Sequence, residues 1–289
     1  MPSSRRVFLT GAGIALTGLA GCSGTPTDSS SPTSIPTSTP TPTTPARTDA
    51  ALGDAVTLGD GTTVTVSDVV DAHSVRYLTA PDAFGVADAG GDQFVFVRLT
   101  VEGGGTPPDP DVFALVADGT AYEPGVEGVG PARVDAPVSG RPYDGTDRPG
   151  YLGVRVPAPL DADDVAITLA DAARWTFPSS AAAQLRSPAP EFETSLTVPE
   201  SVAAAEAIPV RIDVTNEGDG GGVFRGAVNH QGPRYAADPF SFSLPPAEST
   251  THEVTVGYDR GSDSPPASVA FDVVGPGVSE SFAVRIAGE

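Results

Sequence analysis

From residue 55 onward the chain is written in short apolar runs, each stopped by Gly, Pro or Asp. That rhythm constrains the fold more than any other property of the sequence. In TTVTVSDVV, residues 62–70, valine alternates with threonine. In DQFVFVRLTV, residues 92–101, Val95, Val97, Leu99 and Val101 share one parity while Phe94 and Phe96 take the other. Successive strand side chains point to opposite faces, so the first segment reads as a half-buried strand. The second reads as a central strand covered on both sides.

The same punctuation continues through AVTL at 55–58, DVFALVA at 111–117, TAYEP at 120–124, GYLGVRVP at 150–157, DVAITLA at 164–170 and ARWTFP at 173–178. A second set follows: FETSLTVP, IPVRIDVTN, GVFRGAVN, FSFSLPP, HEVTVGY, SVAFDVV and ESFAVRI. Seven such strands in about 100 residues suit an immunoglobulin-like sandwich. No window sustains a helical stripe, and SSAAAQL at 179–185 is read as linker in preference to a short helix. RSPAPE at 186–191 marks the boundary between the sets. The expected fold is therefore all-β: two consecutive immunoglobulin-like β-sandwich domains, spanning 49–186 and 187–289. Each is long enough to bury its own core.

What precedes the strands is of another kind. Arg5 and Arg6 are followed by an uncharged, apolar or small run over 7–21. That run is short of the roughly 20 apolar residues a membrane span needs. Together with its positive start it predicts a removable signal over 1–21. SRRVFL resembles the twin-arginine export motif, which assigns Arg5 and Arg6 to export. Leu19-Ala20-Gly21-Cys22 resembles a lipobox, which implies lipid on Cys22, the sole cysteine of the chain. With that thiol consumed, neither a disulfide nor a thiolate metal site is open to the mature chain. Residues 22–48 follow as a lipidated cysteine and a disordered linker, since 21 of the 26 residues from Ser23 to Thr48 are Ser, Thr or Pro. At about 3.1 Å per residue in extended polyproline conformation such a tract reaches up to ~80 Å.

Charge narrows the setting. The formal net charge is −21, and all 16 basic residues are arginine. A compact body so acidic repels itself in dilute buffer, and molar salt shortens the Debye length to about 3 Å. The Lys-free, Asp-rich composition resembles that of proteins from extreme halophiles. It also excludes nucleic acid as a partner, because phosphates require a basic footprint.

Family resemblance rests on particular stretches. GDAVTLGDGTTVTVSDV, GGDQFVFVRLTVEGGG, DVFALVADGTAYEP, RPGYLGVRVP and ARWTFP resemble a small sandwich family related to the immunoprotective-antigen fold and attached to lipoproteins. Glu102-Gly103 stands where that family often has an asparagine. VRIDVTNEGDGGG and SLPPAESTTHEVTVGY are similar to CARDB-like (cell-adhesion-related) domains, which carry Asn and Gly at a strand end. Neither resemblance implies a catalytic motif.

The remaining side chains carry no catalytic pattern either. His73, His230 and His252 lie far apart without ligand spacing and are read as solvated or hydrogen-bonded imidazoles. A copper site of two His and one Cys fails because Cys22 is the anchor. No G-x-S-x-G elbow occurs. Asp161, Asp163 and Asp164, or Asp109 and Asp111, are read as solvated acidic loops, NEGDGGG at 216–222 as a wide hairpin turn, and Trp175 with Phe177 as core. The long connection at 71–91, which carries Arg76, Tyr77 and Phe84, is the expected place for recognition in the first domain. No catalytic residue, cofactor or metal ligand is expected. The expectation is a lipid-anchored protein on the outer face of the membrane, acting as a non-catalytic binding or structural module, with the membrane and an envelope or surface-layer protein as partners. The alternative is a ligand-binding accessory component of a transporter or secreted enzyme complex.

Overall fold

The computed structural model describes residues 47–126, 134–138, 140–204, 206–232, 235–258 and 266–287. Arg5, Arg6, Cys22 and the Ser/Thr/Pro tract up to residue 46 lie outside the described residues. Among those described, no helix is long and apolar enough to cross a membrane. The fold is all-β, as the period-two rhythm predicts. Residues 45–289 form one compact unit.

In chain order the first set of strands is β1 (Thr48–Ala51), β2 (Ala55–Thr57), β3 (Thr62–Ala72), β4 (Ser74–Ala80), β5 (Ala83–Asp88), β6 (Asp92–Gly103) and β7 (Phe113–Ala117). It continues with β8 (Thr120–Tyr122), β9 (Val134–Asp135), β10 (Arg141–Pro142), β11 (Gly150–Pro157), β12 (Val165–Leu169) and β13 (Ala173–Thr176). Two five-stranded sheets result, ordered β1-β13-β12-β7-β8 and β2-β3-β6-β11-β10. Val64, Val66, Val95, Val97, Leu99 and Val101 meet Phe113, Leu115, Ile167, Leu169 and Trp175 between them. Trp175 is fully buried and its indole N–H donates to Asp54 O at 2.9 Å, so its polar handle is satisfied inside the core.

Phe94 and Phe96 point out of this sandwich and are nonetheless buried. A third sheet, ordered β5-β4-β9, covers them, and Val75, Ala89, Val138 and Tyr151 complete that second layer of core. The connection at 71–91 is thus not a loop. It is largely a β-hairpin, β4 against β5, in register from Ser74↔Asp88 to Leu78↔Phe84.

SSAAAQL is likewise not linker: α1 spans Ser179–Leu185. Ala182 and Leu185 bury in the first core. Gln93, itself buried, donates to Leu185 O at 2.8 Å and to Pro157 O at 2.9 Å, so the helix-end carbonyl of Leu185, which also accepts from Leu160 N at 2.8 Å, is satisfied twice.

The second set is β14 (Phe192–Thr197), β15 (Ser201–Ala203), β16 (Ile208–Asn216), β17 (Gly222–Gln231), β18 (Tyr235–Leu244), β19 (Ser249–Val256), β20 (Ser268–Gly275) and β21 (Val278–Ala287). A three-stranded sheet, β14-β16-β19, faces a five-stranded one, β15-β21-β20-β17-β18. Ile208, Val210, Ile212 and Val214 point inward at every second position, against Phe224, Val228, Val269, Phe271, Val273 and Val284. In each sandwich the five-stranded sheet that ends the chain order opens on a short edge strand running parallel to the last strand, β1 to β13 and β15 to β21.

NEGDGGG does not turn a hairpin. It carries the chain from β16 in one sheet to β17 in the other. Asn216, with no exposed surface, organises the crossing. Its Oδ1 accepts from Glu191 N and Gly218 N, and its Nδ2 donates to Gly220 O and Leu244 O, all at 2.8–3.1 Å. A Cβ on Gly220 would overlap the Pro188 carbonyl oxygen, so only glycine lets the crossing lie against RSPAPE. Backbone bonding from Glu217 N to Glu191 O, 2.7 Å, pins the same strap. The segment joining the sandwiches is held at both ends, Arg186 to Ala162 O and Asp163 of the first and Glu191 to Asn216 and Glu217 of the second.

Candidate functional site

The hairpin β4–β5 has two jobs. One face covers Phe94 and Phe96, and its free edge meets the outer face of β17. Alternation along β17 explains how: Phe224 and Val228 point into the second core, whereas Arg225, Ala227 and Asn229 point out of it. β5 is the edge strand of its sheet, so its outward N–H and C=O groups need partners. Asn229 supplies them at Phe84. Its Oδ1 accepts from Phe84 N at 2.9 Å and its Nδ2 donates to Phe84 O at 2.8 Å. The carboxamide stands in for a neighbouring strand, and Asn229 is only 6% exposed.

Two arginines complete the seam. Arg76 on β4 donates through Nη1 to Phe240 O at 2.8 Å, and through Nε and Nη2 to Asp135 Oδ2 at 3.1 and 2.8 Å. Arg225 on β17 donates through Nη1 to Ser74 O at 3.2 Å and to Val223 O at 3.4 Å. Burial lowers the Arg225 pKa, and the nearby Arg76 charge lowers it further, while Asp135 and Asp71 act in the opposite sense. The seam is therefore polar and directional rather than an apolar patch. Its bonds join residues as far apart in sequence as Arg76 and Phe240.

A cavity opens on each flank. One, about 570 Å³, is lined by His73, Asp88, Glu191, Phe192, Glu217 and Asp219 among others. The other, about 420 Å³, is lined by Asp71, His73, Gln184, Val223, Arg225 and Leu244 among others. Both are the size of small-molecule sites, and both take walls from the two sandwiches. His73 touches both; it is buried, and its Nδ1 lies 3.3 Å from Asp92 O.

The remaining residues singled out by sequence stand apart. His230 pairs with Asp238 at 2.8 Å. His252, half-buried, stacks on Phe240 with centroids 4.4 Å apart, and burial lowers its pKa. Asp163 and Asp164 are solvent-exposed, as the sequence reading has them, and pair with Arg186 at 2.8 Å and Arg174 at 2.6 Å. Their backbone N–H groups donate to Asp118. Among the described residues no group of three or more His, Cys, Asp or Glu is placed to hold a metal ion. In the connection at 71–91, Arg76 and Phe84 bond to the second sandwich of the same chain. Asn229 and Arg225 carry the other half of the seam. Only their outward parity on an apolar strand, GVFRGAVN, could have marked them.

No protein-family model matches the chain, and no curated protein does. Among solved structures, the beta-glucosidase from Listeria innocua in complex with isofagomine aligns over 35% of this chain at 16% identity, with a TM-score of 0.28. The same enzyme in complex with glucose gives the same identity, coverage and TM-score. This chain spans 17% and 16% of the length of those two chains. At such a TM-score the likeness bears on neither fold nor activity.

Proposed function

We propose that the chain is a lipid-anchored protein of the outer membrane face of a halophile, and that its folded part is a non-catalytic interaction module. The observation that carries this reading is the placement of the sole cysteine, Cys22, after the uncharged run 7–21 and before the Ser/Thr/Pro tract. A diacylated thioether holds firmly where one short chain is marginal, since each buried methylene contributes about 0.8 kcal/mol. The polar seam supports the second half of the proposal. Two sandwiches joined by directional bonds present one continuous surface, as a docking module requires. Cys22→Ser is expected to release the protein from the membrane fraction into the soluble one. A variant that still sediments with membranes in molar salt refutes the anchor.

The two seam cavities favour a second reading, a ligand-binding accessory component of a transporter or secreted enzyme complex. Crosslinking on intact cells at native salt separates the two, by recovering envelope proteins for the first and a transport or enzyme complex for the second.

A further inference from the structure

Among the described residues, Arg47, Arg76, Arg98, Arg155, Arg174, Arg186, Arg211 and Arg285 each lie within ion-pair distance of a carboxylate. Arg141, Arg148 and Arg225 do not, and of these Arg141 and Arg148 are exposed to solvent. Arg225 is the half-buried exception. In a chain with 37 acids, a carboxylate partner would have been easy to supply.

A guanidinium offers five N–H donors. Arg225 uses Nη1 on two carbonyl oxygens, Ser74 O and Val223 O. Its Nε and Nη2 have no partner among the described residues, and its side chain lines the cavity of about 420 Å³. Burying a cation without a counter-charge is costly. Asp135 is already engaged by Arg76 through two bonds. Asp71 shares the cavity wall, but it receives a hydrogen bond from Gln184 Nε2 and reaches Arg225 only through space.

We infer that Arg225 holds a small monovalent anion, a halide or a carboxylate, in the cavity between the sandwiches. The anion supplies the missing counter-charge, takes the unused donors, and offsets the repulsion between the Arg225 and Arg76 guanidinium groups. Asp71 sets the limit on charge: a second negative charge on the ligand would share the cavity with its carboxylate. Charge-assisted bonds to guanidinium are among the stronger ones available to a small anion.

The test is ³⁵Cl line broadening on the full-length chain, with chloride as probe. The parent is expected to show saturable excess broadening. Arg225→Gln, which removes the charge and keeps a polar side chain, is expected to weaken chloride binding about tenfold or more, in line with about 1.5–3 kcal/mol for a charged hydrogen bond. Asp71→Asn, which keeps the acceptor for Gln184 and removes a repelling charge, is expected to tighten it. Should Arg225→Gln fail to fold, Asp71→Asn decides alone. Absence of broadening in the parent, equal broadening in a folded Arg225→Gln, or unchanged affinity in Asp71→Asn each overturns the proposal. Acetate that displaces chloride at lower concentration assigns the site to carboxylates, and acetate that fails to do so assigns it to halides; both uphold it.

Discussion

Truncating Asn229 to alanine isolates the seam, because the side chain leaves both sandwich cores untouched. Asn229 bonds only to the Phe84 backbone, at 2.9 Å to the N–H and 2.8 Å to the carbonyl oxygen. Truncation leaves the N–H and the carbonyl oxygen of Phe84 both facing a part-buried gap. Each unsatisfied buried group costs about 1–3 kcal/mol, so the two together cost roughly 2–6 kcal/mol, at the low end if water enters. That cost falls on the coupling between sandwiches and not on either core. Denaturation followed by two probes reads it. Fluorescence reports the first sandwich through Trp175, the one tryptophan of the chain, while far-ultraviolet dichroism reports both. The parent is expected to give coincident transitions and Asn229→Ala to split them. Coincident curves with a midpoint change worth less than about 0.5 kcal/mol, the scale of an ordinary surface substitution, would refute the reasoning.

Two pH effects follow from single side chains. Burial, with Asp109 and Asp144 adding, pushes the Tyr143 phenol from an ordinary 10 up to about 12, and its O–H donates to Pro108 O at 2.6 Å. The folded state then binds the proton more tightly than the unfolded one, so this stabilisation is whole below pH 10 and is lost as pH rises toward 12. Absorbance at 295 nm is expected to show a late-titrating tyrosine that Tyr143→Phe removes; an unchanged titration in that variant contradicts the assignment. His252 has the opposite sign. Burial holds its pKa below the ordinary value of about 6.5, so the unfolded chain takes up the proton first and stability declines as pH falls below that value. His252→Phe keeps a ring against Phe240 and is expected to flatten the decline between pH 7 and 5.5 in denaturant titrations, whereas an equal slope in both proteins would place its cause elsewhere.

The strands were legible because burial on one face writes itself into every second residue, as in Val95, Val97, Leu99 and Val101. The double-faced strand β6 was legible too, since Phe94 and Phe96 could not both be solvated. What covers them was not. β4 and β5 alternate weakly: Val75, Tyr77 and Thr79 share a parity, but Gly85 sits opposite Tyr77, and the Tyr77 ring occupies the space a Cβ at Gly85 would need. A short helix such as α1 offers one turn of pattern, Ala182 and Leu185, too little to distinguish from linker. The edge strands β1 and β15 are legible only through the last strand each one joins. The seam was least accessible of all, because Phe84 and Asn229 lie 145 residues apart and carry no pattern relating them.

A polar seam also follows from the charge of the chain. At a net charge of −21 the two sandwiches repel each other, and an apolar joint of small area would leave sticky surface whenever it opened. Bonds from Arg76, Arg225 and Asn229 to backbone oxygens, and from the Phe84 N–H to Asn229, instead place two of the scarce cations between two acidic bodies. The same bonds cap the β5 edge, which would otherwise be free to pair with another strand. Orientation is fixed by hydrogen-bond geometry, which tolerates little rotation, where apolar contact would let the sandwiches slide. Both cavities take walls from the two sandwiches, so their shape follows the relative placement of the two, and a change at the seam alters both cavities together.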